Sequence, residues 1–162
     1  MATEVHRNIF VGDLSDCTSS KDSSIIHACK DPCHKIGVGY TGNLSPKHPN
    51  YLIKASTDNL YLNMVDMDRI DPRFTDPMIF EALNFIKSNL DKDKKVLIHC
   101  NVGQSRSCAI GIVFLAKNNI ISNNNFNSAL ADFRKLYHNV NLGIGFTNYL
   151  NQNWSNLLRN NG

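Results

Sequence analysis

Apolar positions follow two different periods along this chain. "NIFVGDL" (8–14) predicts a short strand that ends at Gly12-Asp13, and "SSIIHAC" (23–29) predicts a second, buried one. "NLYLNMV" (59–65) alternates like a strand, and "KVLIH" (95–99) is a continuous apolar run of the buried type. Between them Ile79, Leu83, Ile86 and Leu90 recur at helical spacing, which predicts an amphipathic helix over 78–90. Thr75 or Asp76 would cap that helix, with Pro77 in its first turn. Ser107 to Lys117 is apolar almost all round and predicts a central helix. Two further amphipathic helices are expected at about 123–138 and 144–158, with Gly143 and Gly145 marking the turn between them. The stretch 30–59 carries Pro32, Gly37, Gly39, Gly42, Pro46 and Pro49, and should be mostly loop with one short strand near "YLIKA". The alternation predicts an α/β fold: a central, mostly parallel sheet of four to five strands flanked by helices, in one domain spanning 1–162.

Composition narrows the class. A hydrophobic content of 42% is enough for a real core. No window approaches the roughly 18 apolar residues of a membrane span, and "MATEVHRNIF" has no apolar stretch of signal-peptide type. Membrane association is not expected. A net charge of +3 favours an anionic ligand only weakly and gives no reason to expect nucleic acid. The cysteines Cys17, Cys29, Cys33, Cys100 and Cys108 are odd in number and irregular in spacing. That pattern argues for reduced thiols in a reducing compartment such as the cytoplasm.

The chemistry concentrates in "HCNVGQSRS" (99–107), where a buried strand gives way to a helix. A helix N-terminus after a glycine-containing loop offers unpaired N–H groups and the positive end of the helix dipole. Residues Asn101, Val102, Gly103, Gln104 and Ser105 can curl those groups around one point, and Arg106 adds a planar fork suited to two phosphate oxygens. The result is a cradle for a tetrahedral oxyanion with Cys100 at its floor. The same field favours the thiolate, which is the nucleophilic form. Ser107 can donate a hydrogen bond to that sulfur, and His99 can orient the loop through backbone carbonyls. Cys108, inside the apolar helix, reads as core.

His-Cys, a five-residue gap, then Arg-Ser resembles the active-site motif of the cysteine-dependent protein tyrosine phosphatases. The inner Gly103 and Ser105 make the loop similar to the dual-specificity branch, whose loops read HC-x-x-G-x-S-R-S. The strand containing "YLNM", the helix after it, "KVLIHC" and the following apolar helix also come in that family's order. The resemblance implies hydrolysis of phosphotyrosine, with or without phosphoserine and phosphothreonine, through a phosphocysteine on Cys100. Arg106 and the loop amides would bind the phosphate, and no metal or other cofactor would be used. The partner would be a phosphorylated protein, and the oligomeric state a monomer. The family also needs an aspartate as general acid and base, some thirty residues before the cysteine. Its strand pattern puts Asp68 at that place, with Asp66 and Asp71 as competitors. Related enzymes act on phosphoinositides, RNA 5′ phosphates or phosphosugars, but their loops often carry extra basic residues and Asn101–Ser105 has none. A non-catalytic phosphate-binding module, or sulfur or arsenic chemistry on a similar loop, is the more distant alternative.

The segment 30–59 is longer than that family's pattern and is expected to border the site and help select substrate. "HACKDPCH" (27–34) holds two histidines and two cysteines, but Cys33 and His34 are adjacent and no second pair lies at a usual zinc spacing. These residues read as ordinary strand and loop. A disulfide from Cys29 or Cys33 to Cys100 is a further possibility for redox protection. Arg69 and Arg73 read as a solvated face, and Trp154 as core.

Overall fold

The structure is a computed structural model that describes residues 1–159. Its sheet has six strands in the order β1-β2-β6-β3-β5-β4. The strands are β1 (Thr3–His6), β2 (Ile9–Gly12), β3 (Ser23–His27), β4 (Ile53–Ala55), β5 (Asn59–Leu62) and β6 (Lys95–His99). The four central strands run parallel, and the edge strands β1 and β4 are antiparallel to their neighbours. The expectation of four to five strands therefore missed an edge. "TEVH" carries too short a pattern to be read as a strand, and short charged edges are how sheets avoid pairing with other chains.

Among the described residues six α-helices accompany the sheet: α1 (Leu14–Ser19), α2 (Lys35–Val38), α3 (Pro72–Asp91), α4 (Arg106–Lys117), α5 (Phe126–Leu136) and α6 (Ile144–Arg159). Alternation along β6 sends Val96 and Ile98 into the main core with α3 and α4. Helix α4 is buried from Ser107 to Ala116, as its all-round apolarity predicts. Trp154 of α6 packs edge-on against Phe126 and donates from Nε1 to Asn123 O. The opposite face of the sheet is covered by thinner material. Helix α1 packs on β2 and β6, and α2 lays Gly37 against the Tyr61 ring, where a Cβ would come within 2.6 Å.

Two expectations need correction. Helix α3 starts at Pro72, not after Thr75 or Asp76. Asp71 is its N-cap and accepts from Arg73 N at 2.9 Å, with Pro72 in the first turn and Pro77 inside the helix. The missing amide of Pro77 costs less than the burial of Met78, Ile79, Ala82, Leu83 and Ile86 gains. Asp76 instead accepts a hydrogen bond from the Tyr149 hydroxyl. The segment 30–59 is also not mainly loop at its start: a turn at Lys30–His34, with Asp31 in extended backbone and His34 N donating to Cys29 O, runs directly into α2.

Candidate active site

The parallel strands β2, β3 and β6 end level, with Gly12 and His27 both in register with His99. Loops at the carboxyl ends of such strands are where open α/β sheets hold ligands. Here β6 ends, Cys100 follows, and residues 101–105 curl before α4 begins at Arg106.

The curl is held from outside by its carbonyls. Leu14 N donates to Asn101 O, the Tyr137 hydroxyl to Gly103 O at 2.6 Å, Asn141 N to Gln104 O, and Ala109 N to Ser105 O. The Cys108 thiol donates to Gly103 O as well. Gly103 has φ +72°, and a Cβ there would meet Gly12 O at 2.9 Å and the Tyr137 hydroxyl at 3.0 Å. With the carbonyls turned outward, the backbone N–H groups of Val102 to Ser107 donate to no protein group among the described residues. Free amides on a curl of this kind converge on an anion.

Cys100 is buried at the base of this curl, with Sγ 3.2 Å from Ser107 Oγ. Arg106 reaches across the opening. One terminal nitrogen donates to Met64 O at 3.0 Å and the other to Asn101 Oδ1 at 2.6 Å. Its Nε–H is buried with no partner among the described residues. A buried cationic donor left unpaired is costly, and an oxyanion over Cys100 would satisfy it.

The sequence-derived residues thus fall into two groups. Cys100, Arg106, Ser107 and the amides of Val102, Gly103, Gln104 and Ser105 come together. The side chain of Ser105 does something else: its hydroxyl accepts from Gly143 N at 2.9 Å and ties the loop to the start of α6. Asn101 likewise braces Arg106 while donating from Nδ2 to Asp31 O. That bond, with Lys30 N donating to Met64 O, brings the start of the 30–59 segment to the edge of the site.

Asp66 and Asp68 lie exposed on the loop between Met64 and Asp71. This loop rests on the first turn of α6. The Asp66 carboxylate faces Gly143, and the Met67 carbonyl crowds Gly145 so closely that no side chain fits there. Asp71 is committed to capping α3 and pairs with Arg73, whose guanidinium holds that carboxyl below its usual range. Tyr137, Asn141 and Gly143 carried no sequence signal as loop supports, because they act at long range on loop carbonyls or, for Gly143, on the Ser105 hydroxyl rather than on ligand.

Behind the loop lies a second cluster. His99 Nδ1 is 3.2 Å from Cys100 O, and His27 Nε2 is 2.8 Å from Asn59 Oδ1. Their other nitrogens, His99 Nε2 and His27 Nδ1, face each other at 2.8 Å. The Cys17 sulfur lies 3.6 Å from His27 Nδ1 and the Cys33 sulfur 3.9 Å from His99 Nε2. His34 turns away to Tyr40 and Asn50.

Burial, reinforced by the neighbouring His27, lowers the His99 imidazole to about 4. Burial lowers His27 in the same direction. An unfolded histidine titrates near 6.5, so between these values the unfolded chain binds more protons than the folded one. Stability is therefore complete above about pH 6.5 and declines as the pH falls toward 4, by on the order of 3 kcal/mol for His99. Urea unfolding of metal-free protein from pH 7.5 to 4.5 should show the midpoint dropping on the acid side. His99→Gln should flatten that slope; an unchanged slope would mean the ring is not held neutral.

The sequence model described as "Dual specificity phosphatase, catalytic domain" matches residues 22–155. Human dual specificity protein phosphatase 9 is 27% identical over 145 residues, covering 79% of this chain and 35% of that protein, so the chain spans about a third of this relative's length. A leucine-rich-repeat and phosphatase-domain protein from Entamoeba histolytica superposes with a TM-score of 0.66 at 22% identity, over 96% of this chain and 92% of the other. PTPMT1, solved in complex with PI(5)P, superposes with a TM-score of 0.66 at 14% identity, over 96% of both chains. At such identities the structural likenesses establish the fold. With a family match spanning most of the sequence, the chain belongs to the dual-specificity phosphatase catalytic-domain family.

Proposed function

We propose that this protein hydrolyses phosphomonoesters on phosphorylated proteins, phosphotyrosine foremost, through a phosphocysteine on Cys100. The observation that carries this is the set of free amides from Val102 to Ser107 together with the unpaired Nε–H of Arg106, all gathered over one buried thiol. Such donors stabilise charge on the equatorial oxygens as it develops in the transition state.

In the first step the Cys100 sulfur attacks phosphorus in line. The S–P bond forms, the ester P–O bond breaks, and Asp68 gives its proton to the leaving oxygen. In the second step Asp68 takes a proton from water, the water oxygen bonds to phosphorus, and the S–P bond breaks. Ser107 Oγ donates to the departing sulfur, which makes it a better leaving group. Asp68 is favoured over Asp66 by its place relative to the family's strand pattern. Asp68→Asn should lower kcat by about 10²–10⁴-fold on an alkyl or aryl ester with a poor leaving group and remove the basic limb of the pH profile. Asp66→Asn should stay within a few-fold of wild type. Exchange of these two results would move the acid to Asp66.

Substrate class is tested by turnover of phosphotyrosine, phosphoserine and phosphothreonine peptides beside PI(5)P and a 5′-phosphorylated RNA. The absence of any basic residue in Asn101–Ser105 supports the peptides over the polyanionic lipid and RNA. A kcat/KM at least tenfold higher on the phosphotyrosine peptide than on the others is expected. Preference for PI(5)P or RNA would overturn the protein-substrate assignment while leaving the chemistry in place.

A further inference from the structure

The histidine pair behind the loop turns one nitrogen of each ring outward and the other inward. His99 Nδ1 faces the Cys100 carbonyl and His27 Nε2 faces the Asn59 side-chain amide. The carbonyl only accepts, so a neutral His99 carries its proton on Nδ1 and presents its Nε2 lone pair inward. His27 Nδ1 lies 2.8 Å from that lone pair, a ring-to-ring contact that a bound ion would replace. An imidazole that donates one N–H to a carbonyl and presents its other nitrogen inward is the arrangement seen in metal-bound histidines.

Thiols surround those inward nitrogens. Cys17, His27 and His99 bring their ligand atoms within 4.8 Å of one another, as do Cys29, Cys33 and His99. His99 belongs to both sets, so the two meet at its inward-facing side. With Zn–S near about 2.3 Å and Zn–N near about 2.0 Å, a tetrahedral site has S···N edges of roughly 3.5 Å and an N···N edge of roughly 3.3 Å. The observed S···N separations of 3.6 and 3.9 Å are close to this, and the rings need to part by about half an ångström.

We propose that Cys17, His27 and His99 bind one zinc ion behind the active-site loop, with the Cys33 sulfur, 3.9 Å from His99 Nε2, moving in as the fourth ligand. Binding would displace the thiol protons of Cys17 and Cys33 to solvent, with no change of oxidation state. The ion has a way in: Cys17 is half-buried and opens on a surface hollow of about 460 Å³ that also reaches Asn59, with Asp22 and Asp58 on its wall. Local sequence spacing hides the site, because its ligands come from α1, the end of β3, the turn at Lys30–His34 and the end of β6. A zinc ion on His99 Nε2 would lock the Nδ1–H onto the Cys100 carbonyl and so fix the backbone at the base of the cradle.

The test uses the full chain, reduced and freed of metal, titrated with Zn²⁺ against a chromophoric chelator and with Co²⁺ for its absorption spectrum. Cys100→Ser removes the other reactive thiol. The expected result is one zinc equivalent bound by both wild type and Cys100→Ser at submicromolar Kd, with thiolate-to-cobalt charge-transfer bands and tetrahedral d–d bands. Cys17→Ala, at a half-exposed position that should leave the fold intact by thermal melting, should weaken binding by about 100-fold and abolish the rise in Tm on adding zinc. Binding lost in Cys100→Ser but kept in Cys17→Ala would overturn the proposal and place the ion at the active-site thiol. Failure of wild type to bind at micromolar Zn²⁺ would overturn it equally.

Discussion

Cys100→Ser should abolish phosphomonoester hydrolysis, with kcat falling by about 10⁴-fold or more, while phosphate binding persists. The size follows from the chemistry. A serine hydroxyl at this position is a poor nucleophile, and among the described residues no general base is hydrogen-bonded to it: Ser107 Oγ is the neighbour of the Cys100 sulfur. The cradle itself is backbone amides and Arg106, none of which the substitution touches. Para-nitrophenyl phosphate turnover in EDTA, set beside calorimetric binding of inorganic phosphate or vanadate, separates the two effects. Retained turnover in the variant would mean that Cys100 does not form the covalent bond. Loss of both turnover and anion binding would mean that the substitution has collapsed the loop, and Cys100→Ala would then be needed to read the nucleophile alone.

Arg106→Lys should cost about 10³-fold in kcat/KM, despite keeping the charge. The guanidinium performs three tasks at once. It donates to Met64 O, donates to Asn101 Oδ1, and holds Nε–H unpaired inside the site. A lysine ammonium is a point charge on a flexible stem and cannot span the Met64 carbonyl and the Asn101 amide while also reaching phosphate. Both kcat and KM should worsen, because the loss falls on the ground-state anion and the transition state together. Asn101→Ala leaves Arg106 its charge but removes a brace, and should give a smaller loss of about tenfold. A lysine variant within a few-fold of wild type would show that charge alone is being used.

The parts of this protein that were legible in the sequence are those whose partners lie close by in the chain. Cys100, Gly103, Arg106 and Ser107 sit within eight residues, so the loop that joins them could be read from spacing alone. The buried strand β6 and helix α4 were equally plain, since being apolar on every side leaves few other folds. The start of α3 was not, because Asp71-Pro72 and Asp76-Pro77 offer the same cap signal five residues apart. Only packing of the intervening turn chooses between them. The supports of the loop were invisible for a different reason. Tyr137, Asn141 and Gly143 hold carbonyls or a hydroxyl rather than ligand, and such bonds depend on where α5 and α6 dock. Cys17 was unremarkable until α1 placed it against His27.

The outward-held carbonyls of the loop have a consequence for the life of the chain before it is fully folded. Their donors come from Leu14 near one end and from Tyr137 and Asn141 near the other, with Gly143 gripping Ser105. A ribosome adds residues from the N-terminus onward, so Cys100 emerges well before the groups that shape its surroundings. Until Tyr137, Asn141 and Gly143 have followed, residues 103–105 lack the donors that turn their carbonyls outward, although the Met64 and Asn101 anchors of Arg106 are already made. A half-made chain, or one cut by a protease in the turn ahead of α6, should therefore turn over phosphoesters poorly although it carries the whole motif.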